Sequence, residues 1–564
     1  MIDWANVFAN ALWVLGLALM LAVASHASYR AHAERAPFWM ILAQPAHAAI
    51  ALSGLALLAA GLALTSTGSL WEVLVYWAIA IVSTAQAAMA YRRRREADPR
   101  ESLVRRWRRG DQPLVAGLVA LGMVLGGLYA LIILPWMQPD EPRHYEVAYH
   151  VARLGKPVVT GRDLVPEWEQ EMIAAMEARS FWWYGFSMVG WDPNNLPKSF
   201  VEIWGAEYSR AFYQPPLYYA LAGEFLSLGG KDLGLDEGIL RLRLASLVLF
   251  GLSLLGIYRA IAELFPERPH SALGVLVLAA LWPSHLAANA SVNPEVLAEV
   301  LVVWALFFAV NILRRGPHVG NVFWLVALAL LGIVTKRTAL TASVIVPLTF
   351  LFWAFDASSV HRVRRKAAWI ALVAAIPLSI GLLVMLVKVG RLVPADFLVK
   401  LDSGVYWGEL LAYPLVEHTS SMLRTFVGWF GWMRVVLPGL LYWLGAGLLI
   451  LAVLGVVRLP FTSYREALAG WQKRALLLFA IAFVVQLLLI VGKQLVYADF
   501  SGEAVPQMRY MYAVAPAIFL YLWLGWRVWV PRRMRRHMTP VSMALLLIFN
   551  AYVLAFLLYP FYWL

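Results

Sequence analysis

The run PLVAGLVALGMVLGGLYALIILPW, residues 113–136, leads directly into Met137-Gln138 and then Pro139-Asp140-Glu141-Pro142-Arg143-His144. The first stretch carries no charge and is long enough, as a helix, to cross a hydrocarbon core of roughly 30 Å. The second sets two carboxylates, an arginine and a histidine where the chain leaves that core. It opens a polar segment that lasts to about residue 212. Ionisable side chains next to lipid are costly unless they have partners or work to do.

Apolar runs of similar length recur from end to end. The 564 residues are 61% hydrophobic and only 14% charged. That balance excludes an ordinary soluble domain and predicts an all-α polytopic membrane protein with about 14 spans. They fall near 4–25, 38–63, 70–91, 113–135, 242–263, 271–290, 295–313, 320–335, 339–356, 368–388, 438–457, 474–492, 509–529 and 541–561. Met1-Ile2-Asp3-Trp4 lacks a basic leader, so the first run is expected to remain as a membrane helix. There is no cysteine, hence no disulfide framework and no thiolate chemistry.

A net charge of +13 would suit nucleic acid if read alone. The Lys and Arg residues instead gather in short loops between apolar runs, which is the positive-inside pattern and argues against a nucleic-acid partner. Arg92 to Arg95 and Arg105 to Arg109 place their loop in the cytoplasm. The span at 113–135 then delivers Asp140 and Glu141 to the opposite side. Parity tests this: Arg314-Arg315, Arg362 to Lys366 and Arg532 to Arg536 must each lie an even number of crossings away. They do so if the segment from Gln214 to Leu228 lies along the membrane surface and does not span it. It is short and opens with two prolines, so a juxtamembrane helix is expected.

The long outer loop, 136–241, is then the main region outside the membrane. Trp168, Met172 and Met176 recur every four residues and predict an amphipathic helix there. The cluster Phe181 to Phe186 suits interfacial anchoring. Three parts are expected: 1–110, a three-span extension with the basic cytoplasmic loop; 111–530, a transmembrane core that includes the outer loop; and 531–564, a basic loop and the last span.

Pro142 suits the first turn of a helix, and Asp140 could cap it. Capping accounts for one carboxylate but not for the pair with Arg143 and His144. Glu141 and His144 stand three apart, a spacing that can place both on one metal, so a divalent cation is kept open without a second ligand set to support it. Asn293 and Glu295 follow a span on the same side. Lys336 and Arg337 occupy a turn that parity puts outside, against the positive-inside bias, and an anionic headgroup would explain them. Arg509, at the mouth of another span, offers a planar fork for phosphate. His418 and Arg424 are weaker candidates.

Together, Pro139 to His144, Gln214-Pro215-Pro216-Leu217-Tyr218-Tyr219 and Arg241-Leu242-Arg243-Leu244-Ala245-Ser246 resemble the GT-C superfamily of integral-membrane glycosyltransferases. The resemblance is to the bacterial branch related to protein O-mannosyltransferases and lipid A aminoarabinose transferases. Ser291 to Glu295, Thr335-Lys336 and Gln507 to Tyr510 match further segments. This chain departs from the pattern in three extra spans before the acidic motif and in Pro294-Glu295. The resemblance implies transfer of a sugar from a polyprenyl-phosphate donor to a glycan, lipid or protein acceptor, on the outer face of a bacterial inner membrane. It implies Asp140 as general base with inversion at the anomeric carbon, assisted by Glu141. Arg143, His144, Gln214, Tyr218, Asn293, Glu295, Lys336, Arg337 and Arg509 would bind substrate. A lipid-linked sugar flippase or a non-catalytic envelope assembly protein would share many of these features. The gathering of charges on one face, away from the midplane where transporter sites usually lie, speaks against the flippase.

Overall fold

The computed structural model describes residues 45–65, 112–156, 165–184, 199–204, 214–228, 233–354, 415–462, 468–497 and 506–564, with scattered positions in 12–28 and 76–86 and at 158 and 197. The expected span at 368–388 lies outside the described residues. The chain divides into two compact units, Met1–Arg106 and Trp107–Leu564. In the first, helix α1 (Pro45–Thr65) carries Gly54 so close to Gly16 that an added methyl would lie 2.8 Å from the Gly16 carbonyl oxygen.

Among its described residues, the second unit's regular structure is helical but for a hairpin of β1 (Trp429–Phe430) and β2 (Val435–Val436). Its helices are α2 (Gln112–Ile132), α3 (Glu141–Leu154), α4 (Pro166–Ala178), α5 (Leu217–Ser227), α6 (Leu235–Leu264), α7 (Pro269–Leu281) and α8 (Pro283–Asn289). They continue with α9 (Glu295–Arg315), α10 (Val319–Ile333), α11 (Leu340–Ala354) and α12 (Leu415–Val427). The remaining long ones are α13 (Gly439–Arg458), α14 (Gly470–Tyr497), α15 (Ala515–Trp529) and α16 (Met538–Tyr552), which runs on through Val553–Leu558 and Tyr559–Trp563; Phe181–Tyr184 and Phe200–Trp204 are short helices. Among the described residues, eight helices are long and apolar enough to cross a membrane, or nine if α7 and α8 form one bent span. α5 has 11 residues. At 1.5 Å per residue it is too short to cross.

The bundle is held by small-residue contacts and by polar groups that satisfy broken backbone. On α13 and α15, Gly455 and Gly525 let the backbones touch; a methyl on either would overlap a facing carbonyl. α7 and α8 meet at a 63° bend. Pro283 has no N–H to offer Ala279, and the His285 Nδ1–H donates to that carbonyl instead at 2.7 Å. The Leu281 carbonyl accepts from Asn550 Nδ2 at 2.8 Å, and Asn550 Oδ1 accepts from the Tyr129 hydroxyl. Residues 531–564 therefore pack into the same bundle as α2.

Contacts sort the helix ends. At one end, Trp563 donates to the Ile132 carbonyl and Trp432 to the Trp136 carbonyl. At the other, Arg314 and Arg315 grip Glu263 at 2.7 and 2.6 Å, Gln472 donates to the Leu264 carbonyl, Arg527 to Ser271, and Arg458 lies over Trp529. Arg532–His537 follows there as an exposed basic turn. Asp140, Glu295, Lys336 and Arg509 all belong to the first end.

Candidate active site

α2 ends just before the acidic motif, leaving its last carbonyls without intrahelical donors. Arg243, in the third turn of α6, reaches across and donates to the carbonyls of Ala130, Ile133 and Leu134 at 2.5–2.9 Å. Its Nε and Nη2 also hold both oxygens of Glu141, at 2.8 and 2.6 Å. The Val292 N–H adds a third donor to Glu141. Both side chains are sealed from solvent, at 1% and 0% exposure.

Asp140 turns the other way. It sits in the left-handed region (φ 63°) immediately before α3, a conformation Asp tolerates better than most residues. Its carboxylate does not cap the helix. One oxygen pairs with Arg509 Nη2 and the other with Arg143 Nη1 at 3.3 Å. Arg509 also donates from Nη1 to the Pro139 carbonyl at 2.6 Å. The two adjacent carboxylates thus have separate partners, and Asp140 keeps 21% of its side chain exposed.

The ring of Tyr510 joins two cations. Arg509 lies 4.9 Å from its centroid and Lys336 5.9 Å. Lys336 pairs with Glu295 at 3.0 Å and reaches Asn293 Oδ1 at 3.3 Å. The Thr338 hydroxyl donates to the other Glu295 oxygen, and Asn293 Oδ1 also accepts the Glu295 N–H. α12 supports this corner from behind: Ser421 donates to the Pro506 carbonyl, and the Thr425 hydroxyl accepts the Met508 N–H.

His144 is buried one turn into α3, with Nδ1 2.8 Å from the Tyr219 hydroxyl. Burial pushes its imidazole well below the ordinary value; Lys336, Arg143 and Arg509 add to this, and Asp140 opposes it. Burial likewise pushes the Tyr219 phenol up. Both shifts favour the neutral form of each group. The pair's electrostatic neighbours are the same cations that surround Asp140.

Of the residues expected from sequence, Asp140, Arg143, His144, Lys336 and Arg509 converge, and Asn293 and Glu295 orient Lys336. Tyr218 is buried beside Ser246 and the backbone of Asn293, with Glu141 nearby. Gln214 stands three residues before Leu217, whose N–H donates to the Val334 carbonyl at the end of α10. Arg337 starts the next short turn and is half-buried. His418 is buried on α12, and Arg424 lies over Trp429 and Tyr442. Arg243, Tyr219 and Tyr510 complete the arrangement. Arg243 carried a signal, being an arginine inside an apolar helix.

Glu141 and His144 do not converge on a metal. The carboxylate is taken by Arg243, and the imidazole meets Tyr219. Among the described residues, no group of three or more His, Asp or Glu side chains could hold a metal ion.

No family model matches the chain, and no curated protein matches it. It is similar to the crystal structure of the Archaeoglobus fulgidus oligosaccharyltransferase in complex with zinc and sulfate. The TM-score is 0.41 at 11% identity, over 79% of this chain and 52% of that one. It is also similar to the same archaeal protein tethered through a disulfide to an acceptor peptide containing the NVT sequon. Here the TM-score is 0.37 at 11% identity, over 80% and 55%. The chain spans about half the length of these solved structures.

Proposed function

We propose that this protein is a GT-C type membrane glycosyltransferase that moves a sugar from a polyprenyl-phosphate donor to an acceptor hydroxyl, with Asp140 as general base. The observation that carries this reading is the pairing of Asp140 with Arg509, next to Lys336 across the Tyr510 ring. A phosphate leaving group needs fixed positive charge. An acceptor needs one carboxylate to take its proton. Both requirements are met within one patch, where three cations (Arg143, Lys336, Arg509) face two anions (Asp140, Glu295).

The geometry suggests an order of events. In the resting arrangement Arg509 and Arg143 occupy the two Asp140 oxygens. A donor phosphate competes for the Arg509 fork. As Arg509 turns to phosphate, the Asp140 oxygen it held is freed to accept the acceptor proton. Direct attack by the acceptor then inverts the anomeric centre: the new bond to the acceptor forms, the bond to phosphate breaks, and the acceptor proton passes to Asp140. Lys336 and Arg509 hold the departing phosphate. His144 and Tyr219, both neutral, can hydrogen-bond sugar or phosphate without adding charge. Glu141 serves by position, fixing the start of α3 through Arg243.

The basic groups at the far ends of the bundle support an extracytoplasmic site through the positive-inside rule. In this reading the protein is multi-pass in a bacterial inner membrane, with a lipid-borne donor entering from the bilayer. The test is transfer by the purified protein from a panel of radiolabelled polyprenyl-phosphate sugars, with Asp140→Asn as control. Equal transfer by both removes Asp140 as base. Movement of the sugar lipid across vesicles without an acceptor identifies a transporter instead.

A further inference from the structure

Glu146 lies on the same face of α3 as Arg143, one turn further on, and is fully buried. Among the described residues, no N–H or hydroxyl donates to either of its oxygens. The group it meets is another carboxyl, that of Glu169 on α4, itself 7% exposed. Glu169 accepts the Phe200 N–H on Oε2 at 3.2 Å. Two carboxyls in hydrogen-bonding contact away from water need a proton between them. Glu169 holds an amide donor and Glu146 holds none, so the proton belongs on Glu146, whose O–H donates to Glu169.

The charges acting on Glu146 are Glu169 from α4 and Arg143 from its own helix. Arg143 therefore stands between two carboxyls, Asp140 three residues before it and Glu146 three residues after. Both positions are within reach of an arginine on a helix. In the structure Arg143 goes to Asp140.

We propose that Glu146 is a positioning residue, held as a neutral acid by Glu169 so that Arg143 remains committed to Asp140. If Glu146 ionised, it would add a buried negative charge beside the cation cluster and draw Arg143 away from Asp140. The outer-loop helix α4 thereby sets the charge state of the patch, through Glu169, without touching substrate. This deepens the proposed reading and rests on it only for the use made of Asp140.

The burial of Glu146 and the nearby Glu169 push its carboxyl well above the ordinary range. Because the folded value is raised, the stability it contributes is present at acid pH and is lost as pH rises through that value.

The experiment uses the full chain in nanodiscs. Infrared difference spectra between wild type and Glu146→Gln, at neutral pH, should contain the carbonyl stretch of a protonated carboxylic acid in the wild type alone. The same band should be lost on alkaline titration. Binding of farnesyl phosphate, followed calorimetrically above the range where the phosphate itself titrates, should weaken severalfold in wild type as the band disappears. In Glu146→Gln it should stay level over that range. Absence of the band at neutral pH overturns the proposal, as does a wild-type binding profile that ignores its loss. If the band behaves as expected but farnesyl phosphate binds at no pH, the neutral Glu146 stands and the lipid-phosphate donor fails.

Discussion

Arg243 grips both oxygens of Glu141 in a place neither side chain shares with water. The same guanidinium closes the carbonyl end of α2. It therefore joins three parts of the chain at the base of the site. Replacing one partner leaves the other charge buried. Arg243→Met should cost about 3–5 kcal/mol and lower the unfolding temperature in detergent. Adding Glu141→Met should recover much of that loss. If the single variant melts like wild type, the pair does not hold the site together.

Asp140→Asn keeps a side chain that accepts the left-handed backbone but removes the base. Transfer should fall by about 10² to 10⁴-fold with little change in melting. Arg509→Lys keeps charge but loses the planar fork, and should weaken donor binding more than it slows turnover of bound donor.

His144 gives a pH prediction. Its folded value is depressed by burial and by Lys336, so the neutral form is favoured in the folded protein. Stability is present above the ordinary imidazole value of about 6.5 and is lost as pH falls toward the depressed folded value. Melting curves of wild type should therefore drop on the acid side. His144→Gln should flatten that drop. An unchanged slope would mean that His144 is already protonated in the fold.

The bend between α7 and α8 rests on His285. Its Nδ1 covers the carbonyl that Pro283 leaves open, and its Nε2 lies 3.1 Å from both oxygens of Glu299. His285→Phe strands the Ala279 carbonyl at about 1–3 kcal/mol and leaves the buried Glu299 with less support. Thermal unfolding of His285→Phe, Glu299→Leu and the double variant should show non-additivity. Simple addition would separate the two residues energetically.

The chain has no cysteine, so single cysteines report sidedness cleanly. Ser227→Cys, exposed at the site end, should react with an impermeant maleimide in spheroplasts. Arg533→Cys, exposed at the other end, should react only in inverted vesicles. The reverse labelling would put the site in the cytoplasm and end the proposed donor chemistry.

Hydropathy made the helices legible, because the 20-residue length of a span is set by the membrane and not by tertiary contacts. The 63° break in the expected span at 271–290 was less so. Pro283 is visible in the sequence, but the bend depends on His285 and on Asn550, which comes from the far end of the chain. Lys336 stood out by lying on an unfavourable side, and Arg509 as a planar fork at the mouth of a span. The divergence of Asp140 and Glu141 could not be read. It follows from one left-handed residue and from an arginine 102 positions away. Glu146 was hidden for the same reason: a glutamate on a short amphipathic helix looks like a solvated one until Glu169 is placed against it.

The link from Arg509 to Asp140 joins residues 369 positions apart, and this bears on how the protein is made. The ribosome delivers Asp140 early, whereas its guanidinium partner follows only after most of the later spans have been threaded. Until then the aspartate has Arg143 but lacks Arg509. Chains cut short anywhere before residue 509 would insert most of their helices and yet never acquire the assembled charge cluster, so competence arrives near the end of synthesis rather than growing with it.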